Sequence, residues 1–360
     1  MYWVPSEPGE DPRTAKDAIN DLRRVMGTLP EQAPKLETKF LRGVEGIEVE
    51  LIDYPTNPYK SLYVLATSCW GGKINKWDDT SPENRFLVVK AVLERQALPL
   101  ALEAATFVFS VEGPSRAAFD QLARTRIGAV FSAKGMRDNN WKGCDIRIPN
   151  ALWPTNQEWS LADYIANHPD QAPTEDEVAA INKVIDFNDI QATMKKVKQT
   201  YANIVDNGKA SWQAARTVLP LYVVYGYSAA YNLMSLMGVC ANRLRFCEME
   251  DTVAVAWLMA KEVEHEFPLI GSYLRPSCDF THKCQYHKSY TLSEMFGCLF
   301  KECGRNPCPD SREYAEFNEI CTDVKILEKQ LGIKIPGPNE WPVYDTFESL
   351  CEADKMLLRS

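Results

Sequence analysis

Two stretches of the chain concentrate side chains able to grip anions. The first reads Ser115-Arg116, then Gln121-Leu122-Ala123-Arg124-Thr125-Arg126, with Arg137 following. Gln121 and Arg124 stand at i and i+3, so on a helix they share a face, while Arg126 points away and can serve a ligand on another side. The second runs from Arg216-Thr217-Val218-Leu219-Pro220 through Asn232 and Ser235 to Arg243. On a continuous helix Asn232 and Arg243 fall on nearly one face, about 16 Å apart. Planar guanidinium groups suit phosphates and carboxylates because they donate two parallel hydrogen bonds. An arginine closing so apolar a run is costly to bury without an anion or a hydrogen-bond partner. Plainer readings stay open: a solvated basic helix end favoured by the helix dipole, and an Arg243 that snorkels outward beside Arg245. The chain contains no GxGxxG, GxxxxGK[ST], HExxH or GxSxG, which removes the common nucleotide-fold and hydrolase chemistries.

Together the two blocks resemble the flavin-dependent thymidylate synthases. That family carries Arg-His-Arg, a variable stretch, then Ser-x-Arg-Tyr, preceded by Gln-x-x. Here the segment reads QLARTRIGAVFSAKGMRDN, in which Gln121, Arg124, Arg126 and Arg137 match. The second family signature is met by Arg216, Val218, Leu219, Pro220, Asn232, Ser235, Leu236 and Arg243. Glu103 resembles the family's flavin-contacting glutamate, and the similarity covers residues 38–275. The resemblance implies an enzyme, a homotetramer with FAD between subunits and a pyrimidine nucleotide against the flavin ring. It implies that Arg216 and Arg137 bind the nucleotide phosphate, with Gln121 and Arg124 nearby. Glu103, Arg124, Arg126 and Asn232 would contact FAD. Arg243 would be catalytic, holding the pyrimidine's carbonyl edge and favouring its ionised form, as a buried cation stabilises developing negative charge. Methylene-tetrahydrofolate would supply the carbon and NADPH the reducing equivalents. The implied reaction is methyl or hydroxymethyl transfer to C5 of dUMP or dCMP, with no cysteine nucleophile.

Departures from the family pattern cluster on the flavin side. Thr125 stands in place of the motif's histidine, Gly135 in place of the serine and Asp138 in place of the tyrosine. Phe131-Ser132-Ala133 replaces Asn-Glu, and the segment from Arg126 to Arg137 is one residue longer. Leu98 and its neighbours replace His-x-Thr-Pro, while Gly238 and Cys247 replace an asparagine and a histidine. Two readings follow. One is a paralogue acting on a different pyrimidine nucleotide or delivering a hydroxymethyl group, with Asp138 accepting from an exocyclic amine. The other is a non-catalytic nucleotide-binding, flavin-binding or structural protein that kept the fold. Retention of Arg216, Asn232 and Arg243 together favours the first.

These residues need elements to hold them. Val44–Ile52 alternates apolar and acidic positions, a half-buried strand; Ser61–Thr67, Ala105–Val111 and Ile127–Phe131 read as further strands. Ser81–Gln96 has helical periodicity. Gly113-Pro114-Ser115 starts a helix that RAAFDQLARTR continues. Residues 148–170 read as loop. Thr174-x-x-Glu177 is a capping box opening a helix to Val205, with a break near Asp186–Asn188 and a stop at Asp206-Asn207-Gly208. From Ala210 to Phe267 the pattern is helical apart from Leu219-Pro220. The charge-free run 217–242 reads as a buried core helix, because Pro220, Gly226 and Gly238 interrupt what a membrane span requires. Strands and helices mix without regular alternation, which predicts an α+β fold, a mixed sheet flanked by long helices. Three regions are expected: an N-terminal helical arm over 1–37 with an amphipathic helix near Ala15–Met26, a synthase-like domain over 38–275, and a helical Cys-rich extension over 276–360.

Charge and cysteine content limit the partners. Lys+Arg 40 against Asp+Glu 49 gives −9, which argues against a nucleic-acid polymer and makes the clustered arginines conspicuous as local anion sites. The N-terminus has no basic segment followed by an apolar stretch, so a cytoplasmic protein is expected. Of 11 cysteines, Cys69 and Cys144 alone precede position 240, and reduced thiols are expected. Cys278-x5-Cys284-x2-His287, with His282, Cys298, Cys303 and Cys308, has residue types suited to a structural zinc but lacks a standard paired spacing. Free thiols in a helical extension are the plainer expectation there.

Overall fold

Alternate tyrosines turn the charge-free run into a strand. Over Val224–Asn232, here β6, Tyr225, Tyr227, Ala229 and Tyr231 share one buried face, the period of two that an extended chain imposes. A helix is expected there from the lack of charge. Val and Tyr favour a pleated surface, however, and a charge-free run alone does not separate buried strand from buried helix. The structure, a computed structural model, describes residues 38–137, 139–168, 173–206, 211–244, 248–276, 324–336 and 340–360, all in the unit Thr38–Ser360. β6 lies inside a four-stranded antiparallel sheet with β2 (Glu48–Asp53), β3 (Thr106–Ser115) and β4 (Ala129–Ala133), in the order β2-β3-β6-β4. Thr106 faces Asn232 and Ser115 faces Val224 across β3 and β6, while β4 sets Ala129 opposite Tyr231 and Ala133 opposite Tyr227. β1 (Phe40–Arg42) and β5 (Ile146–Ile148) form a separate parallel pair. With helices packed around these strands, the fold is α+β, as the sequence pattern predicts.

The helices show where local signals prevail. α1 (Pro58–Thr67) replaces the strand expected over Ser61–Thr67. Asn57 caps it by accepting from the Lys60 amide at 3.0 Å, Pro58 opens its first turn, and buried Tyr59, Leu62, Tyr63 and Ala66 recur at helical spacing. α2 (Pro82–Leu93) follows Ser81 as its cap. α3 (Arg116–Leu122) begins at Ser115, whose hydroxyl accepts from the Ala118 amide at 3.1 Å. It stops before Arg124, so Gln121 and Arg124 do not share a helical face. α4 (Asn156–Asn167) occupies the expected loop, because Thr155 and Glu158 form a capping box of their own. α5 (Glu175–Asp206) runs through Asp186–Asn188 unbroken, held where Phe187 is buried against Trp153 and Trp159, with ring centroids 4.7 and 5.9 Å away. α6 (Leu233–Arg243) leaves β6 directly, and α7 (Glu250–Glu266) follows. Among the described residues, no helix is long and apolar enough to cross a membrane.

The end of the chain is built into the same core. α8 (Val324–Leu331) and α9 (Glu352–Arg359), with the segment between them, bury Leu327, Trp341, Phe347, Leu350 and Leu358 in the hydrophobic cluster that contains the sheet. Buried Arg85 donates to the carbonyls of Leu358 (2.7 Å) and Arg359 (3.0 Å), satisfying groups that a helix C-terminus leaves open. The helix expected near Ala15–Met26, the stop at Asn207-Gly208 and the Cys/His cluster of 278–308 lie outside the described residues.

One buried charge joins the pieces around α3. Arg147, 2 % exposed on β5, donates to the carbonyls of Gly43 (2.5 Å), Glu45 (3.1 Å) and Gly113 (3.0 Å). Gly113 is at φ +94°, and a Cβ there would fall 2.3 Å from the Gly46 carbonyl oxygen, so the close approach requires glycine. Asp251, equally buried at the start of α7, accepts from the Ser115 amide (3.1 Å) and hydroxyl (2.5 Å) and from the Thr252 amide (3.0 Å). Burial pushes the Asp251 carboxyl up, while the Ser115 hydrogen bonds and the Arg147 charge draw it down. Replacing Arg147 by Met leaves those carbonyls unpaired and Asp251 without its counter-charge. The expected loss is about 3–5 kcal/mol of unfolding free energy in urea; a change below about 1 kcal/mol contradicts this role.

Candidate functional site

The turn from β6 into α6 is built on Asn232. Its carboxamide oxygen accepts from the Ser235 amide at 2.9 Å, capping α6, and its own amide donates to the Gly128 carbonyl at 2.8 Å. Ser235 completes the joint by donating its hydroxyl to the Ile127 carbonyl at 2.5 Å. Gly128 is at φ +67°, and a Cβ would lie 2.4 Å from both Asn232 Nδ2 and Ser235 Oγ. Glycine alone fits that position. At the other end of α6, Arg243 Nη2 donates to the Gln121 carbonyl at 3.3 Å. The segment 121–128 is thus pinned along α6 at both ends. Between them lies a cleft of about 430 Å³ lined by Arg124, Thr125, Ser235, Gly238, Val239, Asn242 and Arg243.

The cleft's cations are not equivalent. Arg124 is exposed and forms no hydrogen bond or ion pair among the described residues; Arg126, next along the chain, is in the same condition. Arg243 is half-buried and paired, its Nη1 lying 2.6 Å from a Glu248 carboxylate oxygen. Sequence reasoning passed over Glu248, although an acid close behind the arginine that ends an apolar helix is a pairing signal. Gly238 is informative for what it lacks. A mid-helix glycine costs about 1 kcal/mol relative to alanine, yet a Cβ at Gly238 would meet no atom within 4 Å. Packing does not demand it. Its absent side chain opens the helix backbone to the cleft, where a flat ligand can approach closely.

The remaining expected site residues divide by position. Glu103 is exposed in the 3₁₀ turn Pro99–Ala104, beside Ala105, whose carbonyl accepts from the Leu233 amide at 2.7 Å. It therefore belongs to the Asn232 end of β6, outside the cleft's lining. Arg216 is exposed in the 3₁₀ turn Arg216–Val218, which leads into the other end of β6. Arg137 follows β4 on that same side, since the Lys134 amide donates to the Gly226 carbonyl. The seven steps from Val224 to Tyr231 separate these ends by about 24 Å. Asp138 lies outside the described residues. Arg116 serves the fold: it pairs with Asp120 at 2.9 Å and donates to the Tyr225 hydroxyl at 3.0 Å.

The donor set fits a phosphate-bearing, partly planar ligand such as FAD. Arg124 in the cleft, and Arg126 beyond its lining, offer guanidinium groups with no partner among the described residues, and Gly238 offers open backbone. Asn232, by contrast, has its carboxamide oxygen committed to the cap. Among the described residues, no group of three or more His, Cys, Asp or Glu is placed to hold a metal ion. Two glycine variants separate architecture from ligand space. Gly128→Ala should destabilise the fold by about 1–3 kcal/mol through strain and collision with Asn232 and Ser235. Gly238→Ala should stabilise it by about 0.5–1 kcal/mol while weakening FAD retention. A stabilised Gly238→Ala protein with unchanged FAD affinity removes Gly238 from the site.

Comparison with known proteins places this geometry. The profile of the family described as "Thymidylate synthase complementing protein" matches residues 50–269, more than half of the chain. Among solved structures, the chain is similar to a UMP/dUMP methylase, PolB from Streptomyces cacaoi, bound with 5-Br dUMP. The TM-score is 0.48 at 16% identity, covering 65% of this chain and 96% of that one. For the same protein bound with 5-Br UMP the values are 0.45, 16%, 66% and 95%. No curated protein matches the chain. The matched residues include the sheet's β3, β6 and β4, segment 121–128 and all of α6. The chain belongs to the thymidylate synthase complementing family, the flavin-dependent thymidylate synthases.

Proposed function

We propose that the chain is a one-carbon transferase acting at C5 of a pyrimidine deoxynucleotide monophosphate, methylating or hydroxymethylating dUMP or dCMP. The observation that carries this reading is Arg243, held at the cleft by Glu248 and the Gln121 carbonyl. A guanidinium fixed from two sides keeps its remaining N–H donors aimed, and it can stabilise negative charge developing on a pyrimidine ring without reorganising. Arg124 and Arg126 hold the phosphates of FAD, with Glu103 and Asn232 on the same side. When bound, FAD supplies the redox and one-carbon relay, drawing on NADPH and methylene-tetrahydrofolate.

The nucleotide phosphate falls to Arg216 and Arg137, with Gln121 and Arg124 nearby. Arg216 and Arg137 belong to the far end of β6, about 24 Å along the strand from the Asn232 end. Neither Arg216 nor Arg137 lines the cleft that holds Arg243, and a site assembled from more than one copy, in a homotetramer, would bring them to it.

A subunit-mixing experiment tests both parts. Arg243→Ala and Arg216→Ala should each abolish nucleotide-dependent reoxidation of the reduced flavin while leaving the oligomer intact. Mixed and reassembled, the two inactive proteins should regain activity, because some hybrid sites draw both intact arginines from different copies. Full turnover by Arg243→Ala removes its catalytic assignment, and a mixture that stays inactive places the whole site in one chain.

A further inference from the structure

The four-stranded sheet guards one edge and leaves the other bare. β2 carries Glu48, Glu50 and Asp53, shifts register between Leu51 and Asp53, and has its Leu51 amide taken by the Glu262 carboxylate at 3.4 Å. Charges and bulges of this kind keep other chains off an edge. β4, at the opposite edge, pairs with β6 alone among the described strands. Its register on β6 is unbroken, and residues 127–133 contain neither charge nor proline. Val130 is 71% exposed, and Ile127, just before the strand, 86%. The Gly128 carbonyl accepts from the Asn232 amide at 2.8 Å, and the Lys134 amide donates to the Gly226 carbonyl at 3.2 Å. Even-numbered residues therefore bond to β6, while Ala129, Phe131 and Ala133 turn their N–H and C=O groups to the bare edge.

We propose that this edge pairs with the same edge of a second copy, antiparallel about a two-fold axis at Phe131. The strand Ala129-Val130-Phe131-Ser132-Ala133 is complementary to itself in that register. Ala129 meets Ala133 of the second copy and Phe131 meets Phe131, so every outward N–H and C=O on one strand opposes an outward group on the other. A slip by one residue sets outward groups against inward ones and makes no ladder. Phe131 is half-buried, its ring centroid 5.5 Å from Tyr231 and 6.0 Å from Phe119. The alanines on either side leave room for two Phe131 rings to meet across the axis and continue the core face from one sheet to the next. Antiparallel pairing also brings the Lys134 end of the second copy's strand beside Gly128, the end tied to the cleft through Ile127 and Ser235. Arg137 belongs to that Lys134 end, so on the nucleotide reading above the second copy brings its Arg137 to the cleft's side of the first.

The test is the mass of the full-length protein in solution, by sedimentation, for the wild type and Ala133→Pro. Proline at this position removes an amide that points away from β6, so β4 keeps its place in its own sheet. The wild type should sediment as a dimer or tetramer. Ala133→Pro should have about half that mass and the wild type's far-ultraviolet circular dichroism. A monomeric wild type overturns the proposal, and so does a folded Ala133→Pro protein of undiminished mass. Cross-linking decides the matter without proline. In this register Val130 faces Ser132 of the second copy, close enough for a disulfide. Val130→Cys and Ser132→Cys proteins, mixed, reassembled and oxidised, should give a linked dimer that neither variant nor the wild type gives alone. A mixture without that dimer overturns the pairing. Sedimentation and cross-linking read the pairing whether or not a nucleotide binds, so its failure is distinct from a failure of the nucleotide reading.

Discussion

The Asp251 carboxylate, buried against Ser115, is the contact on which the placement of the cleft depends. Ser115 ends β3 and caps α3 in the same residue, so the acid that grips its amide and hydroxyl decides where α3 leaves the sheet. α3 in turn delivers Gln121, whose carbonyl meets Arg243, and the segment 124–128 that walls the cleft. Arg147 compensates the charge of Asp251 while gathering the carbonyls of Gly43, Glu45 and Gly113. Asp251 and Arg147 are removed from water together, which is tolerable only because each has further hydrogen bonds. The loop arginines can then stay exposed, since none of them has to hold the fold.

Much of this was legible in the chain, unevenly. β3 and the Ser115 helix start are visible because apolar alternation and capping chemistry are local. α1 and α4 also carry local signals, at Asn57-Pro58 and Thr155-x-x-Glu158, but loop-like composition around them obscures both. β6 is harder. A run without charge has no polar face to reveal its period, and the tyrosines at 225, 227 and 231 are its one trace of alternation. α5 continues through Asp186–Asn188 for a tertiary reason, the burial of Phe187 between two tryptophans, which no local pattern contains.

The candidate site divides in the same way. Arg124, Arg126, Arg216 and Arg243 stand out by type and spacing, yet spacing alone does not show that Arg216 sits at the other end of the sheet from the cleft. The strand that starts at Val224 puts Arg216 at that end, and the antiparallel register of β4 on β6 puts Arg137 there too. Gly238 was legible as a residue but not as part of a cleft, and Glu248 not as the partner of Arg243, because their meaning depends on what lies across from them. The cleft is open at Gly238, where a Cβ would meet no atom within 4 Å.

The central claim is that this cleft transfers one carbon unit to a pyrimidine nucleotide. The most direct test is the mass of the nucleotide after dCMP and dUMP are each incubated with the protein, FAD, NADPH and methylene-tetrahydrofolate. The account predicts a product heavier by one methyl or hydroxymethyl group, dependent on every component. Nucleotides recovered with unchanged mass from a protein that has bound FAD contradict it.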